Sequence, residues 1–182
     1  MADTAKQFQQ VIENCADLFQ RKLQDYGAAW RALRPSSVTD QLYIKAKRIR
    51  SIQEKKAQKI EDNIADEFIG LVNYAAMAII QLEYGAVVEI DLTNEQAIAA
   101  HHKVLNEAFE LMNNKNHDYD EAWRNMRISS FTDIILVKLL RIKQIENNEG
   151  LTIASEGAES NYFDIINYAV FALILLNEKN NI

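Results

Sequence analysis

The chain has 182 residues, of which 48% are hydrophobic, and its formal net charge at pH 7 is -6. An acidic chain is not expected to present a general nucleic-acid surface, because such surfaces are usually basic. Cys15 is the only cysteine, which excludes an intramolecular disulfide and a thiolate metal cage. Five glycines and one proline provide few turns, so the composition favours helices over strands.

The sequence contains one long stretch twice. Residues 22–52 align with residues 115–145 at a displacement of 93, and 15 of the 31 aligned positions are identical. Residues 70–82 (GLVNYAAMAIIQL) align with residues 164–176 (DIINYAVFALILL) at a displacement of 94. Two copies of this length indicate a duplicated helical module rather than a solenoid, which needs more and shorter repeats. We expect repeats at 1–88 and 89–182, related by a pseudo-twofold axis.

The first repeat predicts three helices in chain order. Apolar residues at helical spacing predict a first helix over about residues 4–24, followed by an irregular turn in which Trp30 packs inward. Hydroxyl residues at 36, 37 and 39 are candidate caps, so a second helix is expected to begin near residues 38–40 and to end near Glu54. Residues 54–63 are either a charged connector or a solvated helical bend. A third helix then follows and ends at Gly85.

The second repeat is expected to replay this order. Residues 86–92 (AVVEIDL) are predicted to be a linker without a sheet partner, because nothing else in the chain is typical of a strand. Thr93 and Gln96 form a capping-box pattern for a fourth helix that runs to about Asn114. Residues 146–156 form the predicted loop before the last helix, which is expected to end near Asn177. The predicted fold is therefore all-α, with two three-helix modules packed as one pseudo-twofold bundle.

The third helix of each repeat carries candidate metal ligands. Asp66, Gly70 and Asn73 share a helix face, and the aligned residues are Ser160, Asp164 and Asn167. Two such helices meeting at the axis would bring three carboxylates together: Asp66, Glu67 and Asp164. Carboxylate and amide oxygens suit Mg²⁺ or Mn²⁺. The alternative interpretation is a solvated acidic face with the asparagines in hydrogen-bonded core positions.

Basic and aromatic residues supply candidates for binding a nucleotide. Arginine and lysine can hold phosphate, and a tyrosine ring can stack on a base. The candidate substrate-binding residues are Lys22, Tyr26, Lys45, Arg48 and Asn73, with their aligned partners Lys115, Tyr119, Lys138, Arg141 and Asn167. Trp30 and Trp123 are favoured as core anchors, and the three histidines show no metal-binding motif.

The N-terminal residues and the apolar runs bear on localisation. MADTAKQFQQ lacks the basic start and apolar run of a signal peptide, and residues 163–176 are too short to span a bilayer. We therefore expect a cytoplasmic protein without membrane contact, and a homodimer is possible.

Three motifs carry a family resemblance over nearly the whole chain, twice. K-x-x-D-Y-x-x-A-W, S-S-x-T-D-x-x-x-x-K-x-x-R-I and D-x-x-N-Y resemble the bacterial nucleotide-modification-associated family, which often occurs as a tandem repeat. That family is similar in turn to the all-α NTP pyrophosphatases, the MazG-like and dimeric dUTPase group. In that group, E-E-x-x-E and E-x-x-D motifs hold Mg²⁺ against the phosphates of the nucleotide.

The motifs of the pyrophosphatases are incomplete in this sequence. E-x-x-D falls on Glu67 with Gly70 in one repeat and on Asn161 with Asp164 in the other. For E-E-x-x-E only Glu54 and Glu146 are found, one position out of register.

The resemblance implies two functional hypotheses. One is a Mg²⁺-dependent nucleoside triphosphate pyrophosphohydrolase, in which a free carboxylate, Glu67 or Glu159, orients the attacking water as general base. The other is a helical module that binds a nucleotide or a partner protein without turnover.

Overall fold

Six α-helices and two short 3-10 turns make up the described part of the chain. The computed structural model describes residues 3–55, 61–119 and 121–180, with the backbone alone at 61–63 and 117–119. The helices are α1 (Thr4–Tyr26), α2 (Pro35–Glu54), α3 (Glu61–Tyr84), α4 (Asn94–Tyr119), α5 (Ile128–Asn147) and α6 (Ala158–Asn180), and the 3-10 turns are Ala29–Ala32 and Ala122–Asn125. These ranges contain no strand, which confirms the all-α prediction. The predicted connector at 54–63 lies largely outside the described residues.

The helix ends follow local capping chemistry. α4 begins with the predicted capping box: the Thr93 amide donates to Gln96 Oε1 at 2.9 Å, and the Gln96 amide donates to Thr93 Oγ1 at 3.2 Å. α1 ends at Gly27, whose φ of 62° suits glycine.

Three predicted helix boundaries are wrong. The hydroxyl-capped start of α2 at residues 38–40 does not occur, because the helix begins at Pro35, after Arg34 and without a side-chain cap. Proline suits the first helical position, since its φ is already helical and its missing N–H would have had no partner there. In the second repeat, α4 and α6 continue past their predicted ends near Asn114 and Asn177, to Tyr119 and Asn180.

Equivalent helices of the two repeats pack against each other as antiparallel pairs. Between α2 and α5, Asp40 pairs with Lys143 at 2.8 Å, and the aligned residues Asp133 and Arg50 pair at 3.7 Å. An early residue of each helix therefore meets a late residue of the other. Two ion pairs related by the repeat displacement are what a pseudo-twofold axis across the helices requires.

Hydrogen bonds between α2 and α5 follow the same rule. Thr39 Oγ1 donates to Glu146 Oε1 at 2.6 Å. At the aligned positions, Gln53 Nε2 donates to Thr132 Oγ1 at 3.0 Å. The two repeats therefore share one axis rather than standing apart. The repeat boundary at residues 88 and 89 stays a prediction.

The core is centred on α3 and α6, which contact each other over more residues than any other described helix pair. Their facing sides carry small and branched apolar residues, including Ala75, Ala76, Ala169 and Ala172, all fully buried. By length and hydropathy alone one helix segment, Ile64–Tyr84, is apolar enough to cross a membrane, and 67% of that stretch is buried inside the bundle. Its apolar character is accounted for by its central position.

The linker between the repeats is fixed by Arg31, whose side chain is fully buried. The guanidinium donates to both carboxylate oxygens of Asp91 at 3.0 Å and to the Gly85 carbonyl at 2.8 Å. It also contacts Gln81. These bonds attach residues 85–91 to the first repeat without a β-strand, as predicted for the linker.

We predict that Arg31→Ala destabilises the protein by about 3 kcal/mol, because it empties a fully buried side-chain position and leaves the buried Gln81 side chain without its cationic donor. Urea unfolding measures the loss, and limited proteolysis should show faster cleavage between residues 85 and 93. Arg34→Ala, at an exposed arginine on the same segment, is the control and should change stability by less than about 0.5 kcal/mol. Equal effects of the two substitutions would contradict the assigned role of Arg31.

Candidate functional site

A small cleft in the first repeat brings together five of the predicted site residues. Lys22 and Tyr26 reach it from α1, Lys45 from α2, and Asp66 and Asn73 from α3. Its volume is about 90 Å³, and its remaining walls include Trp30, Gly70, Tyr74 and Met77. We call it the repeat-one cleft. Three helices thus place cations, an aromatic wall and one carboxylate around a single space.

Gly70 makes room for Lys45 in this cleft. A Cβ atom at position 70 would lie 3.1 Å from the Cδ, Cε and Nζ atoms of Lys45. The Lys45 ammonium lies 5.4 Å from the centre of the Tyr74 ring, within range of a cation–π contact. Lys45 therefore lies along the surface of α3, where its charge faces the cleft.

The partners of the two cleft lysines differ. Lys45 lies 3.6 Å from Glu67, which also pairs with Arg48 at 3.2 Å. Lys22 is exposed and makes no ion pair with any residue in the described ranges. The cleft therefore presents one ammonium that is shared and one that is available to an anion.

Asn73 forms the polar floor of the cleft. Its side-chain N–H donates to the Cys15 carbonyl at 3.0 Å, and its oxygen lies 2.9 Å from His101 Nε2. Since that oxygen can only accept, His101 carries its proton on Nε2. Burial, with a smaller effect from the charge of His102, lowers the pKa of His101 to about 3. The buried histidine is therefore neutral, and it holds Asn73 in place.

The equivalent region of the second repeat is built around Asp164. Its Oδ1 accepts from Lys115 Nζ at 2.8 Å, and its Oδ2 accepts from Lys138 Nζ at 2.7 Å. Only 14% of the Asp164 side chain is exposed. Lys115 and Lys138 align with Lys22 and Lys45, so the same two lysines here enclose a carboxylate of the chain itself.

The charges of this cluster stabilise one another. Burial alone would raise the pKa of Asp164, but hydrogen bonds and charges from Lys115 and Lys138 outweigh it, so the pKa lies below its ordinary value. For Lys115, burial acts to lower the pKa, but the bond to Asp164 outweighs it, and the pKa is raised. Asp164 and Lys115 are therefore both charged at neutral pH.

Aromatic packing also fills the second repeat. Phe171, at the position of Met77, stacks on Trp123 with ring centroids 4.2 Å apart. Asn167 is buried, and its oxygen finds no hydrogen-bond partner among the described residues. In the first repeat, His101 donates a hydrogen bond to the oxygen of Asn73. The oxygen of Asn167 lacks such a donor, because Phe8 occupies the position aligned with His101.

The structure does not bring the three predicted metal ligands together. Glu67 is engaged by cations of α2, and Asp164 is enclosed by two lysines of its own repeat, on α4 and α5. Asp66 borders the repeat-one cleft alone. Because α3 and α6 run antiparallel, equivalent positions near their ends are separated rather than joined. Among the described residues no group of three or more His, Cys, Asp or Glu side chains could hold a metal ion.

The other predicted residues lie elsewhere. Arg141 is exposed and borders a shallow cleft of about 940 Å³ between α5 and the loop before α6. This cleft is larger than the repeat-one cleft, but the ammonium of Lys138 on its wall is already bonded to Asp164. Glu159 lies exposed in the first turn of α6. The side chain of Tyr119 lies outside the described residues.

Two features of the site were not assigned from the sequence. His101, which lies in the second repeat and contacts Asn73 of the first, was assigned no role from the sequence. The available signal is that the two repeats differ at this position, with Phe8 in the first and His101 in the second. The Trp30 indole N–H is buried and has no hydrogen-bond partner among the described residues, while its ring borders the cleft. Trp30 and Trp123 are both buried, as predicted for core anchors.

Fold and site together define an all-α protein built from a duplicated module, with a lysine cleft in one copy. The model of the family "Nucleotide modification associated domain 1" matches residues 22–82 and 115–176, which is more than half of the chain. The chain belongs to this family, with two copies of its domain. No curated protein and no solved structure matches the chain.

We predict that Asp164→Asn lowers the free energy of unfolding by about 2 kcal/mol at pH 7, because the lysines lose their charged acceptor. The pKa of Asp164 is lower in the folded state, so its contribution is present above the ordinary pKa of 3.8 and is lost as the pH falls through the folded value. Urea unfolding from pH 7 to pH 2 should show the variant and the natural protein converging at the acid end. A constant difference over that range would contradict the ion pairing.

Proposed function

We propose that the protein binds a nucleotide in the repeat-one cleft, with the phosphate between Lys22 and Lys45. The observation that supports this most is that two lysines from different helices face one cleft, and one of them makes no ion pair with a described residue. A lysine ammonium acts as a point charge toward phosphate oxygens. Membership of a nucleotide-modification-associated family supports the ligand class.

The size of the cleft decides which part of the nucleotide enters it. About 90 Å³ accommodates a phosphoryl group or a few water molecules, but not a base. The Tyr26 ring at the cleft mouth is 57% exposed and offers a stacking surface for a base outside the cleft. The buried Trp30 N–H adds a donor on the inner wall.

Binding can be tested with purified protein and a panel of canonical and modified nucleotides, followed by isothermal titration calorimetry. We expect Lys22→Gln to weaken binding about tenfold, as for the loss of one charge-assisted hydrogen bond. Lys115→Gln is the matched control, since the aligned lysine is already bonded to Asp164, and it should leave the affinity unchanged. Weakening by Lys115→Gln alone would place the ligand in the second repeat.

A second candidate function is hydrolysis of a nucleoside triphosphate to the monophosphate and pyrophosphate, with Mg²⁺ or Mn²⁺. Its support is Asp66, an exposed carboxylate that borders the same cleft as the two lysines. One carboxylate does not make a site for Mg²⁺, and Glu67 is held in ion pairs rather than free to act as a base. The described residues therefore do not fit a bound metal, and we favour binding without turnover.

We accordingly predict that nucleotides remain intact when they are incubated with the protein and Mg²⁺ or Mn²⁺. Pyrophosphate release measures turnover, and the melting temperature with and without the cation measures metal binding to the folded state. Pyrophosphate release that disappears in Asp66→Asn, together with a cation-dependent rise in melting temperature, would establish hydrolysis in place of binding alone.

A further inference from the structure

The two repeats offer the same pair of lysines to different anions. In the second repeat each oxygen of Asp164 accepts from one ammonium, at 2.8 Å from Lys115 and 2.7 Å from Lys138. In the first repeat the position of Asp164 is Gly70, and the aligned lysines face a cleft. Both copies therefore contain the two lysines, while a carboxylate that binds both of them is present only in the second.

We propose that Asp164 takes, in the second repeat, the place that the phosphate of a bound ligand takes in the first, so that the second repeat is a permanently occupied copy of the binding site. This inference rests on the proposed nucleotide binding for its functional meaning. It predicts one ligand per chain. It also names the ligand's anionic group: a terminal phosphate ester, two oxygens of which each face one ammonium.

The geometry of Asp164 is the reason for preferring a terminal phosphate to an internal one. The Asp164 carboxylate, at the end of a short side chain, enters between the lysines from one side, and each of its oxygens faces one ammonium. A phosphate monoester can enter in the same way, since its ester oxygen points back toward the nucleoside. An internal phosphate of a chain would need a second exit from between the two lysines.

Position 70 provides the reciprocal test of this arrangement. A Cβ atom added at Gly70 would meet the far end of the Lys45 side chain at 3.1 Å, and that flexible end can move. Gly70→Asp should therefore supply the first repeat with its own carboxylate between Lys22 and Lys45. The substitution would close the cleft to a ligand without removing either lysine.

The first experiment measures stoichiometry by calorimetry with a nucleoside monophosphate. We expect one site in the natural protein, none in Gly70→Asp, and two in Asp164→Gly. Unchanged binding by Gly70→Asp would overturn the proposal. If the natural protein binds no nucleotide at all, the proposed function fails, and the second experiment still decides whether Asp164 stands in for an anion.

The second experiment is rescue of Asp164→Gly by inorganic phosphate. The melting temperature of this variant should rise in phosphate by several degrees more than in chloride of equal ionic strength, because phosphate refills the space between Lys115 and Lys138. It is measured in the Lys22→Gln background, which removes the contribution of the first repeat. Asp164→Ala serves in the same way should the glycine variant fail to fold.

Asp164→Asn is the matched control for the rescue. Its side chain removes the charge but still fills the space, so phosphate should give it no more stabilisation than chloride does. Phosphate rescue of Asp164→Gly alone supports the inference. Equal responses of the glycine and asparagine variants would show general charge screening and would overturn it.

Discussion

The packing of each helix against its own copy is the constraint on which the rest of the structure depends. α3 and α6 are too apolar to face water, and each covers the other along the centre of the bundle. The twofold relation that α2 and α5 show makes each pair of equivalent helices antiparallel, including α3 and α6. The Asp40–Lys143 and Asp133–Arg50 ion pairs are a consequence of that geometry. A single repeat would leave its third helix exposed, so the duplication is needed for a stable core.

A symmetric scaffold does not enforce a symmetric interior. Asn73 is held by His101, whereas Asn167 has no donor for its oxygen among the described residues, since Phe8 occupies the position aligned with His101. One substitution across the axis therefore fixes the polar floor of the first cleft and not that of the second. Leaving a buried amide oxygen unpaired costs free energy, roughly 1–3 kcal/mol. The second repeat tolerates it where Phe171 and Trp123 pack closely.

The sequence predicted the architecture better than the site, and the reasons are physical. Repeats and apolar periodicity report on burial, so the six helices, the inward tryptophans and the Thr93 capping box were all predictable. The start of α2 was missed because proline at the first helical position needs no side-chain cap.

The prediction that the carboxylates of α3 and α6 would meet was wrong. Helical spacing shows which face of its helix a residue occupies, but it does not show the direction in which the partner helix runs. An antiparallel α6 carries Asp164 away from Asp66, and local cations then engage Glu67 and Asp164 separately. The lysine cleft itself could have been found from the sequence, because Lys22 and Lys45 were both aligned candidates. The sequence could not show that the cleft is open to a ligand, because that depends on where the Lys45 side chain lies over Gly70.

The position of one carboxylate explains how the two copies came to differ in charge. Each repeat places one acidic residue within reach of the lysine on its second helix, at Glu67 in the first and one turn later at Asp164 in the second. From the earlier turn the carboxylate reaches the outer arginine, Arg48, and the lysine on α1 makes no ion pair with a described residue. From the later turn it reaches the lysine on α4, Lys115.

Arg141, the counterpart of Arg48, makes no ion pair with a described residue. Both repeats therefore pair the lysine of the second helix with one acidic group of the third. The two repeats differ in the cation that remains available to an anion. In the first repeat it is a lysine beside a cleft, and in the second it is an arginine on the surface. A shift of the carboxylate by three positions along the third helix is thus sufficient to leave one repeat able to bind an anion and to occupy the same lysines in the other repeat.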